Sequence, residues 1–331
     1  GDHLEDRGVA LPTAHPLHRP QPPLEGEWID RAVKGALKSK LSAMKALQFG
    51  PGEAPLRLKG YRITRKIGVG GMTQVYLAVR EGDGLPVVLK VLDASGQEAS
   101  AHLSRFIQEY ALLSSIDHPN VIRIYDQGFT DDHAYIAMEY FERGDLRGEF
   151  RGPLPTARVL QVITGVAKAL SAVHARGVIH RDLKPENIVL AVKDDFESLK
   201  IIDFGAATLV GMHDDVLFGT PGYMPPERIH GAPSDGRGDF YSLGVLLYEM
   251  LSGARPFADR TQRAVLLAQM RDPFPPLVSP FGALPPAVLR LIDRATRLKA
   301  DERQQSAGEL VADIEGALST LERTGSRKWL P

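Results

Sequence analysis

His180-Arg181-Asp182-Leu183-Lys184-Pro185-Glu186-Asn187 is the stretch on which the reading of this chain turns. It sets an acid, a lysine and an amide within six residues. Sixteen residues beyond Asn187 comes Asp203-Phe204-Gly205, with a second carboxylate. An acid to accept a hydroxyl proton, a cation for phosphate, and an amide plus an acid for magnesium are the parts that phosphoryl transfer requires. A lone Asp-Phe-Gly arises by chance in many proteins. The eight-residue run at this distance from it does not.

Working outward, the amino-terminal side reads as strands. Tyr61–Ile67 alternates, and Val75–Val79 and Pro86–Leu92 follow as second and third strands. Between the first two lies Gly68-Val69-Gly70-Gly71-Met72-Thr73-Gln74-Val75, whose small residues let backbone N–H groups approach phosphate closely. Alone, such a string is as often an ordinary hairpin turn. Lys90 adds weight, because a lysine in an otherwise apolar strand is costly unless paired. Its candidate partner is Glu109, on a helix predicted over 99–115. The alternative is an exposed strand lysine and a solvated helix glutamate. Val121–Tyr125 and Ala134–Met138 read as two further strands. After Gly144 the pattern is mostly helical, over about 156–176, 236–253, 261–271, 285–297 and 305–323. The predicted class is α+β, with a sheet-rich first part, a helix-rich second part and a cleft between two lobes.

Composition narrows the function classes. The 331 residues suit one large two-lobed domain or two modest ones. Lysine plus arginine (40) nearly balances aspartate plus glutamate (41), so no global field points to nucleic acid. There are no cysteines, which excludes disulfides and cysteine nucleophiles. No run of 18 apolar residues reads as a membrane span. Residues 1–60 form a separate region. Five prolines in the first 24 residues read as an extended arm. Ile29, Val33, Leu37, Leu41, Met44 and Leu47 then mark a basic amphipathic helix over 27–48. Three roles are open for it: docking on the small lobe, lying on anionic lipid, or binding a partner. The first is favoured, because an amphipathic stripe is most often a buried face. Residues 324–331 read as a tail.

Taken together, these features resemble a eukaryotic-type (Hanks-type) serine/threonine protein kinase, and the Gly-Gly-Met string with Ile116–Ile122 looks most like bacterial members. The likeness runs from about Tyr61 to Glu322. It implies the two-lobed protein kinase fold over 61–323, with a β-rich small lobe at about 61–138 and a helical large lobe at about 145–323. It implies ATP with Mg2+, or Mn2+ in its place, and protein substrates. In that likeness Asp182 accepts the substrate hydroxyl proton and Lys184 contacts the transferring phosphate. Asn187 and Asp203 hold the metal, Lys90 grips the nucleotide phosphates and Glu109 fixes Lys90. Ile67, Gly68, Gly70, Gly71 and Val75 cover the nucleotide. Met138 is the gatekeeper, Glu139 and Phe141 offer backbone groups to adenine, and Asp145 reaches the ribose. Met138 reads equally well as plain core packing. Gly219–Glu227 resembles the peptide-docking loop, Asp239 the acid that braces the catalytic loop, and Arg303 the late arginine that pairs with Glu227. Lys184 and Thr220 both fit the serine/threonine rather than the tyrosine pattern.

Two departures stand out. Thr73 replaces the third glycine of the loop. Arg181 in this family usually receives a phosphate from the activation segment, yet Met212–Phe218 holds no threonine. Asp214 or Asp215 then supplies a constitutive anion for Arg181, or both are simply solvated. A pseudokinase scaffold is the alternative function, and Lys90, Asp182 and Asp203 all speak against it. A small-molecule kinase has no need of the docking loop. The expected location is cytoplasmic, alone or as the cytosolic part of a longer or membrane-associated protein. If the aspartates stand in for a phosphate, Asp214→Ala and Asp215→Ala variants phosphorylate a peptide more slowly than the parent; equal initial rates would refute the idea.

Overall fold

The computed structural model describes residues 56–69, 72–95, 99–193, 196–210, 219–233 and 235–323. The amino-terminal arm and helix, Gly70, Gly71, Asp214, Asp215 and the tail lie outside the described residues.

The first part is a five-stranded antiparallel sheet of β1 (Tyr61–Val69), β2 (Thr73–Arg80), β3 (Pro86–Asp93), β4 (Ile124–Phe129) and β5 (His133–Glu139). The spatial order is β1-β2-β3-β5-β4. β3 sits at the centre, and its two-residue period sorts its side chains. Val87, Leu89 and Val91 are buried on one face against Leu58, Tyr61, Ala78 and Ala137. Val88 and Lys90 fall on the other face and line the cleft. Helix α1 (Ala99–Ser114) covers that side, burying Leu103, Phe106, Ile107, Leu112 and Leu113 at helical spacing.

The second part is helical: α2 (Leu146–Glu149), α3 (Thr156–His174), α4 (Pro226–Ile229), α5 (Arg237–Ser252), α6 (Gln262–Arg271), α7 (Pro286–Ala295) and α8 (Ala307–Arg323). Every residue of α5 from Gly238 to Leu251 is buried, so it forms the axis of this lobe. It stops where Gly253 takes a left-handed φ of 84°. Among the described residues α3 alone is long and apolar enough to cross a membrane. Half of that stretch is buried, against α8 and α5 among others. Two small ribbons complete the lobe, β6 (Val178–Ile179) with β9 (Thr208–Leu209), and β7 (Ile188–Lys193) with β8 (Phe196–Ile201). They bracket the loop that carries Asp182 and set Asp203 just beyond β8.

This is the expected two-lobed α+β architecture, with one displaced strand. The strand expected over 121–125 lies at Ile124–Phe129. Val121 instead forms a parallel bridge with Ile201, and Ile122 donates to the Ile201 carbonyl at 3.0 Å. Both residues are buried in the core shared by the two parts. An apolar run does not by itself distinguish strand from core segment. The ladder falls to the more polar residues because β4 is an edge strand with a half-exposed face.

Arg303, just before α8, ties that part of the lobe to the segment Gly219–Glu227. Its Nη1 and Nη2 donate to Glu227 Oε1 and Oε2 at 2.8 and 2.7 Å, and Nε donates to the Arg297 carbonyl at 2.8 Å. Its side chain is wholly buried, with the guanidinium 5.0 Å from the Tyr241 ring centroid. Removing one partner of a buried pair leaves the other charge uncompensated. Arg303→Leu is expected to lower unfolding free energy by about 3–5 kcal/mol in urea titration. A change within experimental error would mean that Glu227 is solvated after all.

Candidate active site

A cleft of about 810 Å3 is lined by both parts of the chain. Ile67, Gly68, Val75, Val88, Met138 and Ile202 give it an apolar end, and Lys90, Glu109, Asp145, Asp182, Lys184, Asn187, Asp203 and Thr220 a polar one. Met138 is 8% exposed and also belongs to the core, so packing and cleft lining coincide. Thr73 is buried at the start of β2 and lines the cleft too.

Lys90 projects from β3 into a pair of carboxylates. Its Nζ donates to Glu109 Oε1 and Oε2 at 2.7 and 2.8 Å and to Asp203 Oδ1 at 2.7 Å. Burial opposes the ammonium charge, but Glu109 and Asp203 outweigh it and hold Lys90 above its ordinary value. Burial also acts on the two acids, with opposite net results. It pushes Glu109 above the usual carboxylate range despite Lys90. For Asp203 burial is also the largest single influence, but the charge and hydrogen bond of Lys90, with His180 and the Gly205 N–H, together outweigh it, and the carboxyl lies below its ordinary value.

The loop after β6 forms the second cluster. Lys184 Nζ donates to Asp182 Oδ2 at 2.7 Å and to Thr220 Oγ1 at 2.8 Å. Thr220 Oγ1 donates to Asp182 Oδ1 at 2.8 Å. Asn187 Nδ2 donates to the Asp182 carbonyl at 2.7 Å and to Oδ2 at 3.1 Å. Asp182 is thus held on both oxygens, and its carboxylate already accepts a hydrogen bond from a hydroxyl.

This loop is bent away from ordinary geometry. Arg181 within it has φ 69°, and Asp203, beyond β8, has φ 60°, values that non-glycine residues adopt only when the surroundings enforce them. Asp239, in the first turn of α5, does the enforcing at Arg181. Its Oδ2 accepts from the His180 N–H at 2.9 Å and its Oδ1 from the Arg181 N–H at 2.8 Å. Oδ2 also meets His174 Nε2 at 2.8 Å, which makes that nitrogen the protonated one. Burial raises the Asp239 carboxyl, but the His174 hydrogen bond and the neighbouring donors outweigh it, leaving it below its ordinary value. His180 donates from Nε2 to the Ile202 carbonyl at 3.0 Å and packs edge-on against Phe204, joining the two motif segments.

The site residues expected from sequence fall into three groups. Ile67, Gly68, Val75, Lys90, Glu109, Met138, Asp145, Asp182, Lys184, Asn187, Asp203 and Thr220 line one cleft. Glu139 and Phe141 do not. The Glu139 carboxylate pairs with Lys200 at 2.9 Å and Phe141 is buried in the core, so only their backbone could serve a base. Asp145 caps α2 by accepting from the Gly148 N–H at 2.9 Å. Arg181 is buried beneath the docking loop, and its carbonyl accepts from Arg228 Nη1 at 3.2 Å. Sequence reasoning missed His174 and Gln269. Gln269, buried on α6, accepts from the Gly222 N–H and donates to the Met224 carbonyl, both at 3.2 Å, which fixes the docking loop. A glutamine on the buried face of a helix was the available signal.

Among the described residues no cluster of three or more His, Asp or Glu could hold a metal by itself. Asp203 and Asn187 offer two oxygen donors, the Asn187 amide nitrogen being spent on Asp182. Magnesium is typically bound by one or two carboxylates together with substrate phosphates. The donor set therefore fits an ion that arrives with a nucleotide.

Comparison with known proteins agrees with this geometry. The protein kinase domain family matches residues 61–311. The chain is 36% identical over 282 residues to serine/threonine-protein kinase Pkn1 of Myxococcus xanthus, covering 83% of this chain and 41% of that protein. It is 38% identical over 275 residues to pkn2 of the same organism, covering 79% of this chain and 33% of that protein. To PrkC of Bacillus subtilis it is 33% identical over 268 residues, covering 79% and 41%. The chain belongs to the protein kinase family, within its eukaryotic-type serine/threonine branch in bacteria. It spans less than half the length of these relatives.

Asp239→Asn keeps the shape but gives up the charge and one acceptor. Stability at neutral pH is expected to fall by about 2 kcal/mol or more. A carboxyl depressed in the native state stabilises fully above its unfolded value, near 3.9, and loses that contribution as pH falls from there through its lower native value. The difference between variant and parent should therefore shrink as pH falls below about 4. Urea titrations across that range check it, and a pH-independent difference would contradict it.

Proposed function

We propose that the chain transfers the γ-phosphate of magnesium-ATP to serine or threonine hydroxyls of proteins. One observation carries this reading: a single cleft holds both the Lys90–Glu109–Asp203 cluster and the Asp182–Lys184–Asn187–Thr220 cluster. The first is a cation fixed by two acids, suited to nucleotide phosphates. The second is a carboxylate already accepting an O–H, suited to a substrate alcohol.

In this mechanism Lys90 binds the α- and β-phosphates, and Glu109 keeps its side chain extended toward them. Met138, Ile67 and Val75 enclose the base, and Asp145 meets the ribose. Asp203 and Asn187 would hold the ion, which offsets the charge that develops on the phosphoryl oxygens. Asp182 orients the acceptor hydroxyl and takes its proton. Lys184, bonded to Asp182 at 2.7 Å, steadies the transferring group. The geometry of Thr220 makes the acceptor step concrete: an aliphatic hydroxyl sits 2.8 Å from Asp182 Oδ1 and 2.8 Å from Lys184 Nζ. A serine or threonine substrate needs the same two contacts. Catalysis of this kind belongs in the cytoplasm, with protein substrates presented along Gly219–Glu227.

Asp182→Asn should bind nucleotide as the parent does while transfer to a protein substrate falls by about 100-fold or more. Phosphosite mapping after incubation with magnesium-ATP checks both rate and residue type. Phosphate found only on tyrosine, or none from the parent, would sink the assignment.

A further inference from the structure

A second cavity lies apart from the cleft and shares no lining residue with it. It measures about 510 Å3, a volume common among small-molecule sites. Its walls come from the end of α3, the residue after β9, and the starts of α5 and α8. Phe240, Val210, Ala175 and Ala307 give it an apolar surface. The Phe240 ring is buried and lies 5.3 Å, centroid to centroid, from the His174 ring. Val210 is 58% exposed, so part of this surface is wetted.

Most polar groups around the cavity are already spent. Arg237 donates from Nη2 to Asp235 Oδ2 at 2.7 Å and from Nη1 to Gln305 Oε1 at 2.9 Å. Gln305 Nε2 donates to the carbonyls of Ala300, Asp301 and Arg303. Ser306 Oγ accepts from the Glu309 N–H at 3.1 Å. A charged ligand would find its counter-charge paired. His174 is the exception. Its Nε2 is committed to Asp239, so in the neutral ring Nδ1 is an acceptor, and among the described residues no donor meets it. Gly236 keeps that edge of the ring open. A Cβ there would fall 2.7 Å from Nδ1 and 2.8 Å from Cε1. The Gly236 φ of −58° is ordinary right-handed backbone, so it is the ring edge that calls for a glycine. Ser171, one turn earlier on α3, adds a hydroxyl to the same wall.

Water can satisfy Nδ1 but gains nothing from the apolar surface beside it. A flat aromatic molecule with one N–H or O–H donor answers both. We propose that this cavity is a ligand site for such a molecule, which donates to His174 Nδ1 and lies against Phe240, and that its occupancy steadies the loop carrying Asp182. The link is short. His174 Nε2 meets Asp239 Oδ2 at 2.8 Å, and Asp239 accepts from the His180 and Arg181 N–H groups at 2.9 and 2.8 Å. A hydrogen bond accepted at Nδ1 polarises the ring and makes Nε2–H a stronger donor to Asp239. The site stands whichever reaction the cleft performs.

Indole is the probe, and 1-methylindole is the same ring without its donor. Nitrogen-15 spectra of the full chain, labelled at histidine, report on His174 directly; its signal is the one missing from His174→Phe. Indole should shift the Nδ1 resonance saturably, with a Kd of about 1 mM or below. 1-Methylindole should bind about tenfold more weakly, because it leaves Nδ1 unpaired. Indole at about ten times its Kd should slow hydrogen exchange of the His180 and Arg181 amides by about threefold or more. Ala175→Trp, which places a large ring at the exposed rim, should abolish the shift. No shift up to about 10 mM indole overturns the proposal. So does equal affinity for the two indoles, unchanged exchange at saturation, or undiminished binding to a folded Ala175→Trp. Should that variant fail to fold, the two indoles on the parent decide alone.

Discussion

A buried carboxylate holds the site in place. Asp239 is wholly enclosed at the start of α5, and it spends both oxygens on the backbone of the loop that carries Asp182. The φ of 69° at Arg181 is affordable only because those N–H groups have a charged acceptor at 2.8–2.9 Å. Remove the acceptor and the loop has no reason to keep its bend. The axis helix is therefore more than packing: it carries the anchor, and the apolar run behind Asp239 fixes the anchor against the rest of the lobe.

The same logic governs the facing half of the cleft. Lys90 is one cation for two acids, so the cluster is short of positive charge by design of its own residues. Glu109 is the acid that suffers, since it is buried deepest and Asp203 adds its own repulsion. A divalent ion shared by Asp203 and the nucleotide would relieve that imbalance. The cluster on its own carries surplus negative charge, which only a cation would offset.

How much of this was legible in the sequence follows from the range of each interaction. The helices of the second part and the first three strands were readable because periodicity is local. Lys90 and Glu109 could be paired from sequence because a charge in an apolar strand has few remedies. The strand at Ile124–Phe129 was misplaced, since Val121 and Ile122 have a strand's composition while serving the shared core through Ile201. His174 reaches Asp239 across 65 residues, and Arg147 reaches Glu249 across 102. No local pattern announces either contact. The closure of Thr220 onto Asp182 and Lys184 was equally hidden, although each residue had been singled out alone.

That closure gives substrate capture a particular thermodynamic character. Asp182 and Lys184 do not wait as bare charges in water; a threonine hydroxyl already satisfies both. On the proposed function, an incoming alcohol would trade places with an alcohol of equal hydrogen-bonding capacity. The swap is nearly neutral in energy, so affinity must come from the rest of the peptide rather than from the reacting group. Binding strength and chemical readiness are in this way assigned to different parts of the same surface.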